Sequence, residues 1–457
     1  MTQFEDKAKQ LADIILNESH VHIISHVDAD GLTSGGIICT ALERAGISYS
    51  IDFIRQLTGN VITQIADLNP GLVVFTDLGS GMCNQITNSG IRAIISDHHR
   101  IEGNHPNMLN PHMFGIDGST ELSGSGITFL IARAMGNNDD LSGLAVVGAI
   151  GDMQQFKNNK LIGVNKYIVD IGVSCGSVIC ETDIMLFGKQ TRPIFKMLQY
   201  SSDPFLPGLT GNEVACVNFI KEAGVHQHGE KWLRWIDISS EEKQKIIMAL
   251  FLYASQSDIP KYKINRLLGE VYTLAKEQEG KETRDAAEYS TLLNATARYD
   301  HADIGLAVCM GDRKVMYDRA TVLLANHRKN LVDGMNLVKF QGMTKLKNLQ
   351  YFDAGSKIKD TIVGIIAGMS YSLVDDKTLP IIAFADTKDG VKVSSRGNYD
   401  LVRNGLNLAV AMNTVSTSLG GSGGGHDIAA GAFIPVENKR EFILMLDKII
   451  GEQLKNR

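Results

Sequence analysis

The stretch ISDHHR, residues 95–100, ends an apolar run, IRAII at residues 91–95, and places an acid and two imidazoles where a buried strand should stop. Short strands rich in β-branched residues usually end at glycine, asparagine or proline, because turns need unusual backbone angles and not titratable side chains. Two interpretations are open at this point. Either Asp97 caps a following helix beside half-solvated histidines, or Asp97, His98 and His99 belong to a functional site.

The sequence around this stretch alternates apolar segments with helical periods. Residues 21–25, 72–76 and 91–95 are each almost entirely apolar. Such runs are typical of parallel strands that helices cover on both faces, because neither face of the sheet has to be polar. Residues 144–150 fit either a strand or a buried helix, and periodicity does not decide between them. The pattern predicts an α/β domain with a parallel sheet and flanking helices over residues 1–190.

The remainder of the chain divides into a helical part and a second α/β part. The segment SSEE at residues 239–242 has the spacing of a capping box ahead of a helix, and few strand patterns occur nearby. This predicts a helical intervening domain at residues 191–280. Strand-like segments return at residues 381–385, 390–394 and 430–435, around a helical segment at 401–419. They predict a second, smaller α/β domain with a mixed sheet at residues 281–457.

Composition limits the class of protein. A chain of 457 residues is too long for one ordinary core, and 44% apolar with 21% charged residues is typical of a globular protein. The net charge of −6 argues against a protein that coats nucleic acid with a basic surface, although a local basic groove is compatible with it. The N-terminus has mixed charge, unlike a secretory signal, and no apolar stretch is long enough to span a bilayer. We therefore expect a cytoplasmic protein without a membrane segment.

The cysteines do not indicate a metal site or a disulfide framework. The six cysteines are scattered, and no C-x-x-C pair occurs. Thiolate zinc sites typically show C-x-x-C pairs, and disulfide frameworks are typical of short secreted chains that are dense in cysteine. The expected role of these cysteines is that of small buried apolar residues.

Acids and imidazoles follow every predicted strand of the first domain. The residues are His26, Asp28 and Asp30 after the first strand, Asp77 after the second, Asp97, His98 and His99 after the third, and Asp152 after the apolar run at 144–150. The carboxyl ends of parallel strands line one crevice, so these side chains should converge. Close carboxylates repel each other by several kcal/mol at an effective dielectric near 20 unless cations neutralise them. The pattern therefore predicts a metal centre.

The ligand types indicate which metals bind. Oxygen and imidazole donors without thiolate favour Mn²⁺ or Mg²⁺ over structural zinc. Six protein ligands are too many for one open catalytic ion. They are about right for two ions that share a bridging carboxylate, the arrangement that activates a water for in-line attack on phosphorus.

The motifs HVDADGLTSGG, FTDLGS, SDHHR and GAIGDM, which begin at residues 26, 75, 96 and 148, resemble the four successive motifs of the DHH phosphoesterase superfamily. Some bacterial members of that superfamily carry an acid at the position of His26. The resemblance implies that Asp77 bridges two metal ions, that His99 faces the scissile phosphate and that Asp97 orients a neighbouring imidazole. The metal ligands that it implies are His26, Asp28, Asp30, Asp77, His98 and Asp152.

A glycine-dense segment, LGGSGGGHD at residues 419–427, stands near the C-terminus. Its composition is that of a flexible linker, but it lies between a helical segment and a strand inside one domain. A glycine-rich loop there would bring backbone N–H groups against a phosphate. The segment resembles the substrate-binding loop of the DHHA1 domain. The residues that this resemblance assigns to substrate binding are Ser395, Arg396, Gly424, Gly425 and His426, with Arg396 as the phosphate clamp.

The segment at residues 284–298 resembles the entry to the DHHA1 region in archaeal RecJ-like nucleases, a group that includes the GINS-associated nuclease. The resemblance implies a Mn²⁺- or Mg²⁺-dependent exonuclease that degrades single-stranded DNA from 5′ to 3′ in replication or repair. In it, His99, Arg396 and His426 would neutralise charge on the phosphoryl oxygens. Two alternatives are a 3′-to-5′ RNA or short-oligonucleotide phosphodiesterase and a GINS-binding scaffold without activity.

Overall fold

The computed structural model describes residues 2–201, 203–226, 231–257, 259–374 and 376–455. The chain forms two compact units, Met1–Val322 and Leu323–Arg457, and each is described by itself below. The three domain ranges 1–190, 191–280 and 281–457 stay a prediction. Within the described residues, every helix is too short or too polar to cross a bilayer.

A five-stranded parallel sheet forms the centre of the first unit. Its strands follow one another in the order β2-β1-β3-β4-β5. The chain begins with α1 (Thr2–Leu16), β1 (His20–His26), α2 (Ala29–Ala45), β2 (Ser48–Ile54), α3 (Gly59–Leu68), β3 (Leu72–Thr76), α4 (Cys83–Asn88), β4 (Arg92–Ser96) and β5 (Met108–Leu109). The three predicted strands correspond to β1, β3 and β4, and the predicted parallel sheet is confirmed. The strand order reverses between β1 and β3, so the carboxyl ends of these two strands flank the crevice where open α/β sheets bind ligands.

Three further helices complete the part of the first unit that surrounds the sheet. They are α5 (Gly124–Met135), α6 (Ser142–Gly151) and α7 (Gly163–Ser174). Residues 144–150, which the sequence left open, therefore lie in a helix. All but one of the residues 142–150 are buried, so this helix shows no amphipathic period.

A helical insertion follows, between two antiparallel strands. The elements are β6 (Val178–Ile184), α8 (Ile194–Gln199), α9 (Glu213–Glu222), α10 (Ser240–Gln256), α11 (Lys261–Ile264) and β7 (Leu268–Leu274). The insertion has its own apolar core around Trp235 and Leu250. The capping box predicted at the start of α10 is present, with Ser239 and Glu242 exchanging hydrogen bonds. Ile184 pairs with Leu268, so the insertion begins and ends at neighbouring residues.

The first unit continues with α12 (Ala286–Arg298) and α13 (Ala302–Cys309), and the boundary between the units falls within α14 (Val315–Gln341). The second unit contains a six-stranded mixed sheet in the order β12-β13-β11-β10-β9-β8. Its elements are β8 (Thr344–Lys345), β9 (Gln350–Asp353), α15 (Asp360–Met369), β10 (Ile381–Asp386), β11 (Val391–Arg396), α16 (Tyr399–Arg403), α17 (Leu408–Ser418), β12 (Ser422–Gly425), β13 (Ala429–Ile434) and α18 (Lys439–Lys455). Only β9 and β10 pair in parallel among these strands as described, which confirms the predicted mixed sheet.

Two local predictions for the second unit were wrong. The helical segment 401–419 is two helices, α16 and α17, because Gly405 adopts a φ of 98° and Asn407 starts a new helix as its N-cap. The glycine-dense segment is not a loop but contains the edge strand β12. Its glycines permit close packing, since a Cβ on Gly421 would lie 2.2 Å from Phe433 O and one on Gly423 would lie 2.6 Å from Ser416 Oγ.

Candidate active site

The end of β1 places His26 and Asp28 beside each other. Asp28 is the N-cap of α2, and its Oδ1 accepts a hydrogen bond from Gly31 N at 2.9 Å. Its other oxygen, Oδ2, lies 3.0 Å from His26 Nδ1. Although burial disfavours the imidazolium, the carboxylates of Asp28 and Asp77 raise the pKa of His26 to about 11. The helix cap therefore fixes one carboxylate oxygen and leaves the other facing an imidazole.

Asp30 lies in the first turn of α2, and its buried carboxylate contacts the start of α5. Its Oδ2 accepts from Gly124 N at 2.8 Å and its Oδ1 from Ser125 N at 3.0 Å. These two N–H groups belong to the first turn of a helix, where carboxylates are stabilised. Burial raises the pKa of Asp30 well above its ordinary value, and Asp77 adds to the shift.

Asp77 lies between two sets of donors at the end of β3. Its Oδ2 lies 3.4 Å from His26 Nδ1, and its Oδ1 lies 3.3 Å from His98 Nε2. Its backbone has a φ of 59°, a left-handed conformation that costs on the order of 1 kcal/mol for a residue with a side chain. Burial opposes ionisation, but His26 and His98 hold the pKa of Asp77 below its usual range. Strain of this size at a buried acid is typical of functional sites.

Two glycines leave room for these carboxylates. A Cβ on Gly124 would lie 2.4 Å from Asp77 Oδ1, and one on Gly148 would lie 2.4 Å from Asp30 Oδ1. Any larger residue would therefore displace an acid from the crevice.

His98 is oriented by a carbonyl on the side away from the acids. Its Nδ1 donates to Gly118 O at 2.7 Å, an assignment that follows because a carbonyl oxygen only accepts. Its Nε2 lies 3.3 Å from Asp77, 3.8 Å from Asp152 and 3.9 Å from Asp30. Burial disfavours the imidazolium, yet Asp77 and the other acids raise the pKa of His98 well above its ordinary value. A histidine held by a carbonyl in this way is common among metal ligands.

Asp97 positions His99. Asp97 is buried; its Oδ2 accepts from Ser80 N at 2.8 Å and its Oδ1 lies 2.7 Å from His99 Nδ1. Burial opposes the charge on Asp97, but the bond with His99 lowers the pKa of Asp97. Burial likewise opposes the charge on His99, and Asp97 raises the pKa of His99. No helix starts directly after Asp97, so the helix-cap interpretation of this acid is wrong.

The side chains fall into donor groups whose ligand atoms lie within 4.8 Å of one another. The groups found among the described residues are His26, Asp28 and Asp77; Asp30, His98 and Asp152; and Asp77, Asp97, His98 and His99. His26 Nδ1 and Asp77 Oδ1 are buried and have no hydrogen-bond partner of suitable geometry. Orphaned buried atoms at the centre of an acidic cluster fit ligation of a cation, and the oxygen and imidazole donors fit Mn²⁺ or Mg²⁺.

In the second unit, the residues predicted to bind substrate range from buried to exposed. The hydroxyl of Ser395 is buried and donates to Ala430 O at 3.0 Å. Arg396 donates from Nη1 to Ser395 O at 2.8 Å and lies over Gly364 of α15, whose Cβ would be 2.8 Å from Arg396 Nη2. His426 is exposed just beyond β12, where Gly424 has open space around its Cα and Gly425 ends the strand. Contact of these residues with a substrate stays a prediction.

Two supporting groups near the centre were missed from the sequence. Gln154 Nε2 donates to Asp152 Oδ2 at 3.0 Å and to Gly118 O at 2.9 Å, and so links a predicted ligand to the carbonyl that holds His98. On α12, Asn294 Oδ1 accepts from Ala29 N at 3.1 Å.

Arg298 follows Asn294 by one helical turn. Burial lowers the pKa of Arg298, whereas the negative charge of Asp28 raises it. The guanidinium of Arg298 is therefore close enough to Asp28 to interact with its charge. The i, i+4 spacing of Asn294 and Arg298, which places both on one face of α12, was the available signal for both.

Three family models match the chain. They are the DHH family, N-terminal domain, at residues 20–151, the DHH-CID domain at residues 186–268 and the DHHA1 domain at residues 347–452. An uncharacterized protein of Methanocaldococcus jannaschii is 35% identical over 100% of this chain and 99% of its own length.

Solved structures share the fold at low sequence identity. RecJ from Thermus thermophilus in complex with Mn²⁺ is 15% identical, with 98% of this chain covered and a TM-score of 0.61. The chain spans 55% of the length of that RecJ. CDC45 from Entamoeba histolytica is 13% identical, with 98% of this chain and 99% of CDC45 covered and a TM-score of 0.67. Domain order, fold and motifs agree: the chain belongs to the DHH/DHHA1 superfamily, and it shares its fold with RecJ and CDC45.

Proposed function

We propose that the protein is a metal-dependent exonuclease that hydrolyses single-stranded nucleic acid, with 5′-to-3′ degradation of DNA in replication or repair as the leading activity. The observation that carries the proposal is the position of Asp77. Its two carboxylate oxygens face two different donor groups, 3.4 Å from His26 and 3.3 Å from His98. A carboxylate so placed suits the bridge between two divalent cations.

The residues of the site would have the following roles. When bound, the two cations would lower the pKa of a water and neutralise charge on the phosphoryl oxygens. His26 and Asp28 would hold one cation, and Asp30, His98 and Asp152 would hold the other. His99, kept in place by Asp97, would donate a hydrogen bond to the scissile phosphate.

Further cationic and donor groups support a phosphodiester substrate. Arg298 places a positive charge near Asp28 in the first unit. In the second unit, Arg396 and His426 offer donors of the kind that bind phosphate, and Gly424 leaves space for close approach of a ligand to the backbone. We assign these groups to the substrate strand.

The test is a hydrolysis assay on end-labelled single strands. DNA and RNA strands carrying the label at the 5′ or the 3′ end are incubated with Mn²⁺, Mg²⁺ or chelator. Mononucleotides released first from the 5′ end of DNA, with no reaction in chelator, are expected. The double variant Asp28→Ala/Asp30→Ala should be inactive. Faster hydrolysis of dinucleotides than of long strands would favour the short-oligonucleotide phosphodiesterase instead.

The similarity to CDC45, at a TM-score of 0.67, favours a second candidate, a GINS-binding scaffold. The two candidates differ in what the acids contribute. A scaffold would bind purified GINS equally well after Asp28→Ala/Asp30→Ala and would show no hydrolysis with either metal. The donor groups gathered around Asp77 support the enzyme.

A further inference from the structure

The segment that follows Asp152 leads from the metal centre to the helical insertion. Asp152 is the C-cap of α6, and the next residue, Met153, is exposed and has a φ of 59°. Phe156 N donates to Met153 O at 3.0 Å, so the chain turns tightly here. Four residues span at most about 14 Å even when extended, which keeps Phe156 close to the proposed ligand Asp152.

Hydrogen bonds fix this segment against the end of the insertion. Asn159 Nδ2 donates to Asn265 O at 2.7 Å, and Asn159 O accepts from Glu270 N at 2.9 Å. Both partners flank the start of β7. The loop after Asp152 and the segment around α11 therefore form one continuous surface within the first unit.

An arginine on this surface lies over two aromatic rings. The guanidinium carbon of Arg266 lies 4.0 Å from the ring centroid of Phe156 and 5.7 Å from that of Tyr262. Asp203 Oδ2 holds the same guanidinium at 2.6 Å from Nη1. Tyr262 is 46% exposed. Asp203 thus holds the guanidinium in place, and the partly exposed Tyr262 ring is accessible to a further planar group.

Four lysines lie close in the chain to the stacked residues: Lys157 follows Phe156, Lys160 follows Asn159, and Lys261 and Lys263 flank Tyr262. Lys157, Lys160 and Lys261 are exposed, and Lys263 Nζ lies 6.0 Å from the Tyr262 ring centroid. Within the described part of the chain, none of these four lysines forms an ion pair with an acid. The surface is therefore locally positive in a chain whose net charge is −6.

We propose that Phe156, Arg266 and Tyr262, together with Lys157, Lys160, Lys261 and Lys263, form a binding surface for single-stranded nucleic acid, here called the lysine–aromatic surface. Bases stack on the exposed ring, and phosphates lie against the lysines. An acidic peptide would use the lysines but not the stacked rings. The proposal rests on the proposed function, and it adds that strands long enough to reach from the metal centre bind more tightly than short ones.

The length of strand that extends from the metal centre to the lysine–aromatic surface follows from the distance between Asp152 and Phe156. At about 3.4 Å per stacked nucleotide, a distance of about 14 Å corresponds to roughly four nucleotides. A dinucleotide has a single phosphodiester bond, so both of its nucleotides lie at the metal centre and neither extends to the surface. A strand of about 20 nucleotides does, since sites of this kind cover about 4–16 nucleotides.

Binding can be measured without hydrolysis. Fluorescence anisotropy of the full chain with a labelled oligothymidylate of about 20 nucleotides is recorded in chelator over a range of salt concentrations. Tyr262→Ala should raise Kd about five- to tenfold, since base stacking on an aromatic ring contributes at least about 1 kcal/mol. The double variant Lys157→Gln/Lys261→Gln should reduce the slope of log Kd against log salt by roughly 1.4, about 0.7 for each phosphate contact.

Matched controls are available elsewhere on the chain. Tyr399→Ala removes a tyrosine of similar exposure, 51%, from the second unit, and Lys9→Gln/Lys448→Gln removes two exposed lysines with the same change in charge. Thermal unfolding checks that every variant folds. Equal Kd and salt slope for the surface variants and the controls would overturn the proposal.

Hydrolysis gives an independent readout. If the proposed function holds, Tyr262→Ala should raise KM for the long strand several-fold more than KM for a dinucleotide, and an equal effect on both would refute the proposed reach. If no strand is hydrolysed while the surface variants still weaken binding, the proposed function fails and the lysine–aromatic surface stands.

Discussion

Asp77 Oδ1 lies 3.3 Å from His98 Nε2 and has no hydrogen-bond partner of suitable geometry, although both side chains are buried. A buried carboxylate oxygen without a donor is costly, and an imidazole nitrogen this close normally supplies one. The two atoms instead point into a common space that Asp30 and Asp152 also face. This relationship is what a shared cation would require, and several predictions depend on it.

Asp77→Asn tests the bridging role. The amide keeps the shape of the side chain but replaces one carboxylate oxygen by an NH₂ group, which cannot bind a cation. We expect Mn²⁺ stoichiometry, measured by calorimetry, to fall from two to one or fewer, and hydrolysis to fall about a hundredfold or more, since even residues that only support metal ligands contribute 10–100-fold. Asp170→Asn, at an exposed ion pair with Lys166, is the control. Two ions bound by Asp77→Asn would contradict the bridge.

Gly148→Ala tests the packing around Asp30. The added methyl would lie 2.4 Å from Asp30 Oδ1 and 2.1 Å from Ser125 Oγ, so the carboxylate must move. We expect a loss of about 1–3 kcal/mol in the free energy of unfolding, measured with denaturant, together with weaker Mn²⁺ binding. Gly81→Ala is the matched control, because its Cβ would meet no atom within 4 Å. Similar behaviour of the two variants would show that the crevice is not tightly packed.

Asp97→Asn tests how His99 is held. Asp97 raises the pKa of His99 in the folded protein, so removal of its charge lowers that pKa. If the protonated imidazole is the active form, activity is lost as pH rises through the pKa of His99, and this alkaline limb should move to lower pH in the variant. We also expect kcat to fall about 10–100-fold. In His99→Gln the limb attributed to His99 should disappear. An unchanged pH profile in Asp97→Asn would exclude this role.

Cation binding should release protons. In the metal-free site the neighbouring carboxylates raise the pKa of His26 to about 11 and raise that of His98 as well, so they favour the protonated form of both imidazoles. A metal ligand must be deprotonated, and a rise in pH removes the competing proton, so Mn²⁺ affinity should increase with pH. Calorimetry in buffers of different ionisation enthalpy measures the protons released. A dissociation constant that does not change between about pH 6 and 8 would contradict protonated ligands.

The sequence predicted the parallel sheet because β3 and β4 are covered on both faces and leave continuous apolar runs. Strand β2 escaped prediction, since its partial burial alternates along an edge of the sheet and no such run results. Helix α6 was ambiguous for the opposite reason, because almost all of it is buried. The glycine-dense segment was predicted to be a loop inside the domain, because composition alone does not distinguish a glycine-rich loop from an edge strand that packs closely against a neighbouring backbone.

The candidate ligands were predictable because each follows a strand or helix that ends at the crevice. The side chains that hold these ligands in place were not predictable from the sequence. Gln154 is a near neighbour of Asp152 in the chain, but it links this acid to the Gly118 carbonyl only because segments 36 residues apart meet in the fold, and no local pattern reports such a contact. The left-handed backbone of Asp77 was equally hidden, because aspartate carries no requirement for that conformation.

The pairing of Ile184 with Leu268 has an evolutionary consequence. Because the helical insertion leaves and rejoins the chain at adjacent residues of one antiparallel pair, a short hairpin turn could replace it without moving either strand. The two strands can therefore accommodate insertions of different length at this point. Such changes would leave the sheet that carries the candidate site in place.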